Sequence, residues 1–190
     1  LIARLFVGLG YPGKKYESTR HNIGWDAIDK MSVVDGVNWT EKFKGLYAAT
    51  NVAGEKVYFL KPQTFMNLSG ESVVPMMQFF KIEIDEVLVV HDELDLPFGT
   101  VAFKDGGGLA GHNGLKSIAG LLGNQSFKRL RLGIGRPQKG SVSSWVLSGY
   151  DEHDNAVLGT YLEGAADALE LFAKDGFAKA ARQYSKKKIV

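Results

Sequence analysis

The chain of 190 residues contains no cysteine. That absence excludes disulfides and thiolate chemistry and favours a cytoplasmic location, because cross-linked proteins belong to oxidising compartments. Structural zinc is disfavoured without thiolates, although histidine and carboxylate remain able to hold a metal. Long hydrophobic runs are also missing. Stretches such as Val87-Leu88-Val89-Val90 are far too short to span a bilayer. The opening residues Leu1-Ile2-Ala3-Arg4 lack the basic-then-apolar pattern of a secretory leader. The first residue is leucine rather than methionine, which leaves the natural start open. Net charge is only +2, so no global field argues for a nucleic-acid partner. No G-K-[ST] occurs, which removes a P-loop.

What is present suffices for one full core. With 45% hydrophobic residues, the expectation is a single domain over residues 1–190. The charges are unevenly spread. Lys104, Lys116, Lys128, Arg129, Arg131, Arg136 and Lys139 are accompanied only by Asp105, whereas Glu83, Asp85, Glu86, Asp92, Glu93 and Asp95 crowd the segment before them. A local basic face suits a polyanion held at one end. Ordinary solvated surface fits the same pattern.

Hydrophobic periodicity outlines the elements. Ile2 to Val7 reads as a buried first strand, followed by a loop from Gly8 to Gly13 and a helix from about Asn22 to Met31. Gly45 to Val52 and Val57 to Lys61 read as an antiparallel pair. A helix near Gly70 to Lys81 should hold Pro75 in its first turns or be kinked by it. Glu86 to His91 is a continuous apolar strand running into an acidic loop, Asp92 to Leu96. Thr100 to Lys104 reads as a short edge strand, and Asn113 to Leu122 as a helix. Arg129 to Ile134 alternates basic and apolar, which predicts one wet and one buried face. Pro137 to Ser144 is a polar loop. A long helix from about His153 to Ala173 precedes a short last helix with a basic tail. Strands interleaved with helices indicate an α/β fold: a mixed, mostly parallel twisted sheet flanked by helices.

Gly8-Leu9-Gly10-Tyr11-Pro12-Gly13 matches a dinucleotide fingerprint after a strand, with Asp35 at a tolerable distance for the ribose acid. Pro12 and the run Lys14-Lys15-Tyr16-Glu17 stand against it, since the helix that should pack here starts late.

Four polar clusters at element ends carry the chemistry: Thr19-Arg20-His21-Asn22, Phe65-Met66-Asn67-Leu68-Ser69-Gly70, His91-Asp92-Glu93-Leu94-Asp95, and Gly111-His112-Asn113-Gly114. They supply a base, a carboxylate and two amides. A neutral imidazole at His21 can accept a proton from water. Asp92 can orient the ring and stabilise its cation, and Asn67 or Asn113 can stabilise an oxyanion. That set is enough for water to attack an activated ester without a metal. Structural roles are open for each residue: Asn67 and Asn113 as helix caps, Asp92 as a loop cap. His91 and His112 are alternative bases. His91 should point to the opposite strand face from Asp92, whereas His112 can reach Asp92 from another element.

In order and spacing these pieces, together with Gly8-Leu9-Gly10, Pro12-Gly13, Lys61-Pro62-Gln63-Thr64, Gly106-Gly107-Gly108 and Phe127 to Gly135, resemble the bacterial peptidyl-tRNA hydrolase family over almost the whole chain. The resemblance implies a monomeric, cytoplasmic enzyme without cofactor or metal. Such an enzyme cleaves the ester between a peptide and the 3′ ribose of tRNA and recycles tRNA from stalled translation. It implies His21 as the base and Asp92 as its partner. Tyr16, Phe65, Met66, Asn67, His112 and Asn113 become peptide and 3′-end contacts. Lys104 and Arg131, with Lys139 nearby, become a grip on the acceptor end and 5′ phosphate region. One departure stands out. The family usually carries asparagine where this chain has Tyr11, at a position associated with telling blocked from free aminoacyl ends, and a phenol offers one hydroxyl in place of an amide. Two other readings compete: a non-catalytic RNA-binding module resting on the basic segment, and the dinucleotide enzyme.

Overall fold

The computed structural model describes residues 3–190. The start of the expected first strand at Ile2 lies outside the described residues. The elements are β1 (Leu5–Gly8), α1 (Ile23–Asp29), β2 (Thr40–Lys42), β3 (Gly45–Val52), β4 (Glu55–Pro62), α2 (Gly70–Phe80), β5 (Val87–Glu93), β6 (Thr100–Asp105), α3 (Asn113–Leu122), β7 (Lys128–Gly133), α4 (Val142–Val146), α5 (Glu152–Asp175), α6 (Phe177–Gln183) and β8 (Lys187–Lys188). The strands form one eight-stranded sheet in the order β2-β3-β4-β1-β5-β7-β6-β8. β4, β1, β5 and β7 are mutually parallel, and antiparallel pairing takes over at both flanks.

Period-two alternation along the apolar central strands feeds two cores. Phe6, Phe59, Leu88 and Val90 face α1 and α5 through Ile23, Ile28, Leu169 and Phe172. Leu5, Val7, Val87 and Val89 face α2 and α3 through Val73, Met76, Leu115 and Ile118. Among the described residues no helix is long and apolar enough to cross a membrane.

The glycines of the apparent dinucleotide fingerprint have a packing reason. A Cβ on Gly8 would come within 2.6 Å of the Gly24 carbonyl oxygen, and one on Gly10 within 2.6 Å of the Trp25 ring. They let the start of α1 lie directly on β1. That helix begins at Ile23, too far along the chain for Gly8–Gly13 to open it. The dinucleotide reading is therefore overturned.

Several local expectations are corrected. β6 is not an edge strand, because β8 pairs outside it. β7 does not have a wet basic face, since on that face Arg129 is buried and Arg131 is half-buried. The Arg129 guanidinium, 1% exposed, donates to the carbonyls of Gly108 (2.6 Å), Gln125 (2.7 Å) and Gly107 (3.0 Å), holding the triple-glycine loop over the strand. The polar loop after Pro137 gives way at Val142 to α4, whose start is capped by Ser141 Oγ accepting from the Ser144 amide. β5 also continues through Asp92 to Glu93.

Candidate active site

The carboxyl ends of the parallel strands meet at one edge of the sheet, where open α/β folds place their crevices. β5 delivers Asp92 there. The 3₁₀ turn Arg20–Asn22 delivers His21, a second turn, Met66–Leu68, follows β4, and His112 is the residue that caps α3.

His21 Nδ1 lies 2.7 Å from Asp92 Oδ2. The carboxylate only accepts, so the imidazole donates from Nδ1 and keeps its lone pair on Nε2. That second nitrogen has no hydrogen-bond partner among the described residues, and the ring lines a cavity of about 200 Å³. His112 Nε2 lies 2.7 Å from the other oxygen, Asp92 Oδ1. Burial alone would raise the Asp92 carboxyl, but the charge and hydrogen bonds of His21 and His112 outweigh it and hold the group well below the usual carboxylate range. His91 faces away from the Asp92 carboxylate, as the strand alternation predicts, and its Nδ1–H donates to the Asp92 carbonyl oxygen at 2.8 Å. Burial, helped by His112, pushes the His91 imidazole down to about 3. With its Nε2 sealed from solvent and unpartnered, His91 is a poor base.

His21, Asp92 and His112 are close enough to converge on an ion. The donor atoms that would have to turn to it are already joined by hydrogen bonds, so the cluster is satisfied internally.

Tyr11, Met66, His112 and Asn113 line the same cavity as His21 and Asp92. The Asn22 side chain pins Tyr11 by its backbone, accepting from its N–H at 2.6 Å and donating to its carbonyl at 3.0 Å. The Tyr11 ring sits 4.9 Å from Tyr16, 5.8 Å from His21 and 6.3 Å from Phe65, centroid to centroid. Phe65 is 65% exposed, so this aromatic group forms an open rim beside the base. Asn67 is exposed and stands outside the cavity lining. Neither asparagine caps its helix through its side chain: His112 caps α3, and the Gly70 amide at the start of α2 donates to Ser117 Oγ at 2.8 Å.

Lys104, Arg131 and Lys139 do not line the cavity. Lys104 is half-buried, with its ammonium 3.5 Å from the Gly108 carbonyl. Arg131 is half-buried 4.0 Å from Glu93 Oε1, and Lys139 is exposed.

The far wall escaped sequence reasoning. Val142, Ser143, Val146 and Leu147 of α4 and its exit line the cavity, with Glu93 and Leu94. The Val142/Val146 spacing was a readable helical signal, but too short a one to stand out against a polar loop.

A family model described as peptidyl-tRNA hydrolase matches residues 5–190. The chain is 47% identical over 181 residues to a peptidyl-tRNA hydrolase of Geobacter sp. (strain M21), covering 95% of this chain and 96% of that protein. It is 49% identical over 180 residues to one of Sorangium cellulosum (strain So ce56), covering 93% and 81%. Among solved structures, the crystal structure of peptidyl-tRNA hydrolase from Acinetobacter baumannii superposes with a TM-score of 0.87 at 36% identity, covering 100% of this chain and 97% of that one.

Proposed function

The chain belongs to the peptidyl-tRNA hydrolase family and hydrolyses peptidyl-tRNA, and on that premise we propose that His21 performs the hydrolysis by activating a water molecule. His21 Nε2 takes a proton from water in the cavity as the oxygen attacks the ester carbonyl. Asp92 holds the Nδ1–H and stabilises the imidazolium that forms. The Asn113 amide stabilises the oxyanion of the tetrahedral intermediate. On its collapse the 3′ ribose oxygen leaves and takes the proton back from His21. The sequence of steps needs no metal and no covalent intermediate, since an alkoxide of this kind departs readily.

Substrate recognition divides along the same surface. The peptide and the tRNA 3′ end lie against Tyr11, Tyr16, Phe65, Met66 and Asn67, with Tyr11 at the position that discriminates blocked from free aminoacyl ends. The acceptor stem and 5′ phosphate region rest on Lys104 and Arg131, with Lys139 beside them. These are sequence-blind phosphate contacts, as an enzyme acting on many tRNAs requires. The protein works as a monomeric single domain in the cytoplasm.

One observation carries this reading: an imidazole 2.7 Å from a buried carboxylate, with its second nitrogen facing a cavity. The test is release of labelled peptide from a blocked aminoacyl-tRNA, beside the unblocked one, by the protein and its His21→Ala variant. The variant should lose turnover while keeping tRNA affinity nearly intact. Full activity in that variant ends the assignment.

A further inference from the structure

We infer that His112 is a positioning residue rather than a substrate contact: it fixes Asp92 through the carboxylate oxygen that His21 does not use, so that the carboxylate is presented to the base at one angle and with part of its charge already engaged. The inference rests on the reading of His21 as the base.

His112 is the N-cap of α3, and its Nδ1 accepts from the backbone amides of Gly114 at 3.1 Å and Leu115 at 3.4 Å. An amide N–H only donates, so the lone pair is on Nδ1 and the ring proton on Nε2. That proton points at Asp92 Oδ1, 2.7 Å away. The helix start thus sets the tautomer, and the tautomer makes His112 a donor to the carboxylate. The approach is close. A Cβ on Gly114 would meet His112 Cε1 at 3.1 Å and Met66 Sδ at 2.7 Å.

The titratable groups facing this cluster are Asp92, His91 and Glu93 from β5, His112 from the turn before α3, and Tyr11 from the loop after β1. Tyr150 and Arg129 act on it at longer range. A carboxylate shared between two donors holds each less strongly. Removing the His112 donor leaves Asp92 to interact with the His21 cation alone and frees it to rotate.

His112→Asn separates the two jobs. Asparagine is a strong N-cap whose side-chain oxygen takes over the helix amides, but its side chain lacks the far ring nitrogen that reaches Asp92. His112→Ala removes both contacts. The experiment measures thermal unfolding and the pH profiles of kcat and kcat/KM for both variants, with His21→Ala alongside. In the Asn variant kcat should fall about tenfold or more while KM stays within about twofold, and the acidic limb of kcat/KM should move to higher pH. The limb is a property of the molecules that turn over, so partial unfolding does not obscure it. A rise in KM with kcat unchanged, or an unmoved pH limb, overturns the proposal. An active His21→Ala variant instead sinks the reading of the base itself.

Discussion

The guanidinium carbon of Arg20 lies 3.4 Å from the centroid of the Trp145 ring. Its Nη1 also donates to Ser148 Oγ at 2.6 Å and to the Trp145 carbonyl at 3.2 Å, while its backbone amide donates to the Ser148 carbonyl at 3.1 Å. The residue preceding the base therefore clamps the end of α4, the wall that closes the cavity.

Arg20→Lys keeps the charge and loses the plane and the fork. A desolvated cation–π contact is worth about 2 kcal/mol, which corresponds to a fall in Tm of roughly 4–8 °C for a chain of this size. A loosened wall should also raise KM for peptidyl-tRNA. Thermal unfolding and steady-state kinetics check both.

The two asparagines should behave differently. Asn113 lines the cavity and Asn67 does not. Asn113→Ala should lower kcat by about 10²–10³-fold, the usual cost of losing an oxyanion donor. Asn67→Ala should act mainly on KM. Equal reductions of kcat would place both at the reacting carbonyl.

Binding of tRNA should weaken steeply with salt. Lys104→Ala with Arg131→Ala should raise KM more than it lowers kcat. The double variant should also flatten the plot of log affinity against log salt, by about 0.9 for each phosphate it no longer neutralises if the stem behaves as duplex DNA does. Arg129→Ala should instead lower Tm, since that buried guanidinium is engaged with three carbonyls of its own chain. A salt-independent dissociation constant contradicts the phosphate grip.

Asp26 provides a pH test of stability. Burial first, then the neighbouring Asp29, pushes its carboxyl from 3.8 up to about 7, against the pull of Lys61. The folded state thus holds this proton more tightly than the unfolded chain. Its contribution is fully present below pH 3.8 and is lost as pH rises to about 7. Asp26→Asn should raise Tm at pH 8 relative to the wild type and leave little difference near pH 4. Melting curves at the two pH values decide it.

The sequence was informative where the signal is local. The strand Val87–Val90, the helix Asn113–Leu122 and the β3–β4 hairpin follow from side-chain periodicity, which a short window contains. The meeting of His21 with Asp92 was legible as a candidate pair, because both sit where an apolar run gives way to polar residues. The burial of Arg129 was not. The alternation of Arg129 to Ile134 fits a solvated face equally well, and only the glycine loop folding over the strand, with the Gln125 carbonyl, supplies the acceptors that make a buried cation tolerable. β8 was similarly invisible, since two lysines become a strand only when an unpaired neighbour accepts them.

By itself the amino-acid order determined an α/β sheet with two apolar faces, a cysteine-free polar chemistry and a family resemblance carried by ordered motifs. The assembled chain alone decided which histidine is left with an open nitrogen. His21, His91 and His112 are chemically identical residues, and they diverge because their ring nitrogens meet different surroundings: His91 donates to the carbonyl of the next residue and has its other nitrogen sealed from solvent, His112 is occupied by helix amides and Asp92, and His21 is held by Asp92 alone with its ring on the cavity. Hydrogen-bond occupancy of that kind depends on which segments meet, over separations as long as the 71 residues between His21 and Asp92, and no local pattern encodes it.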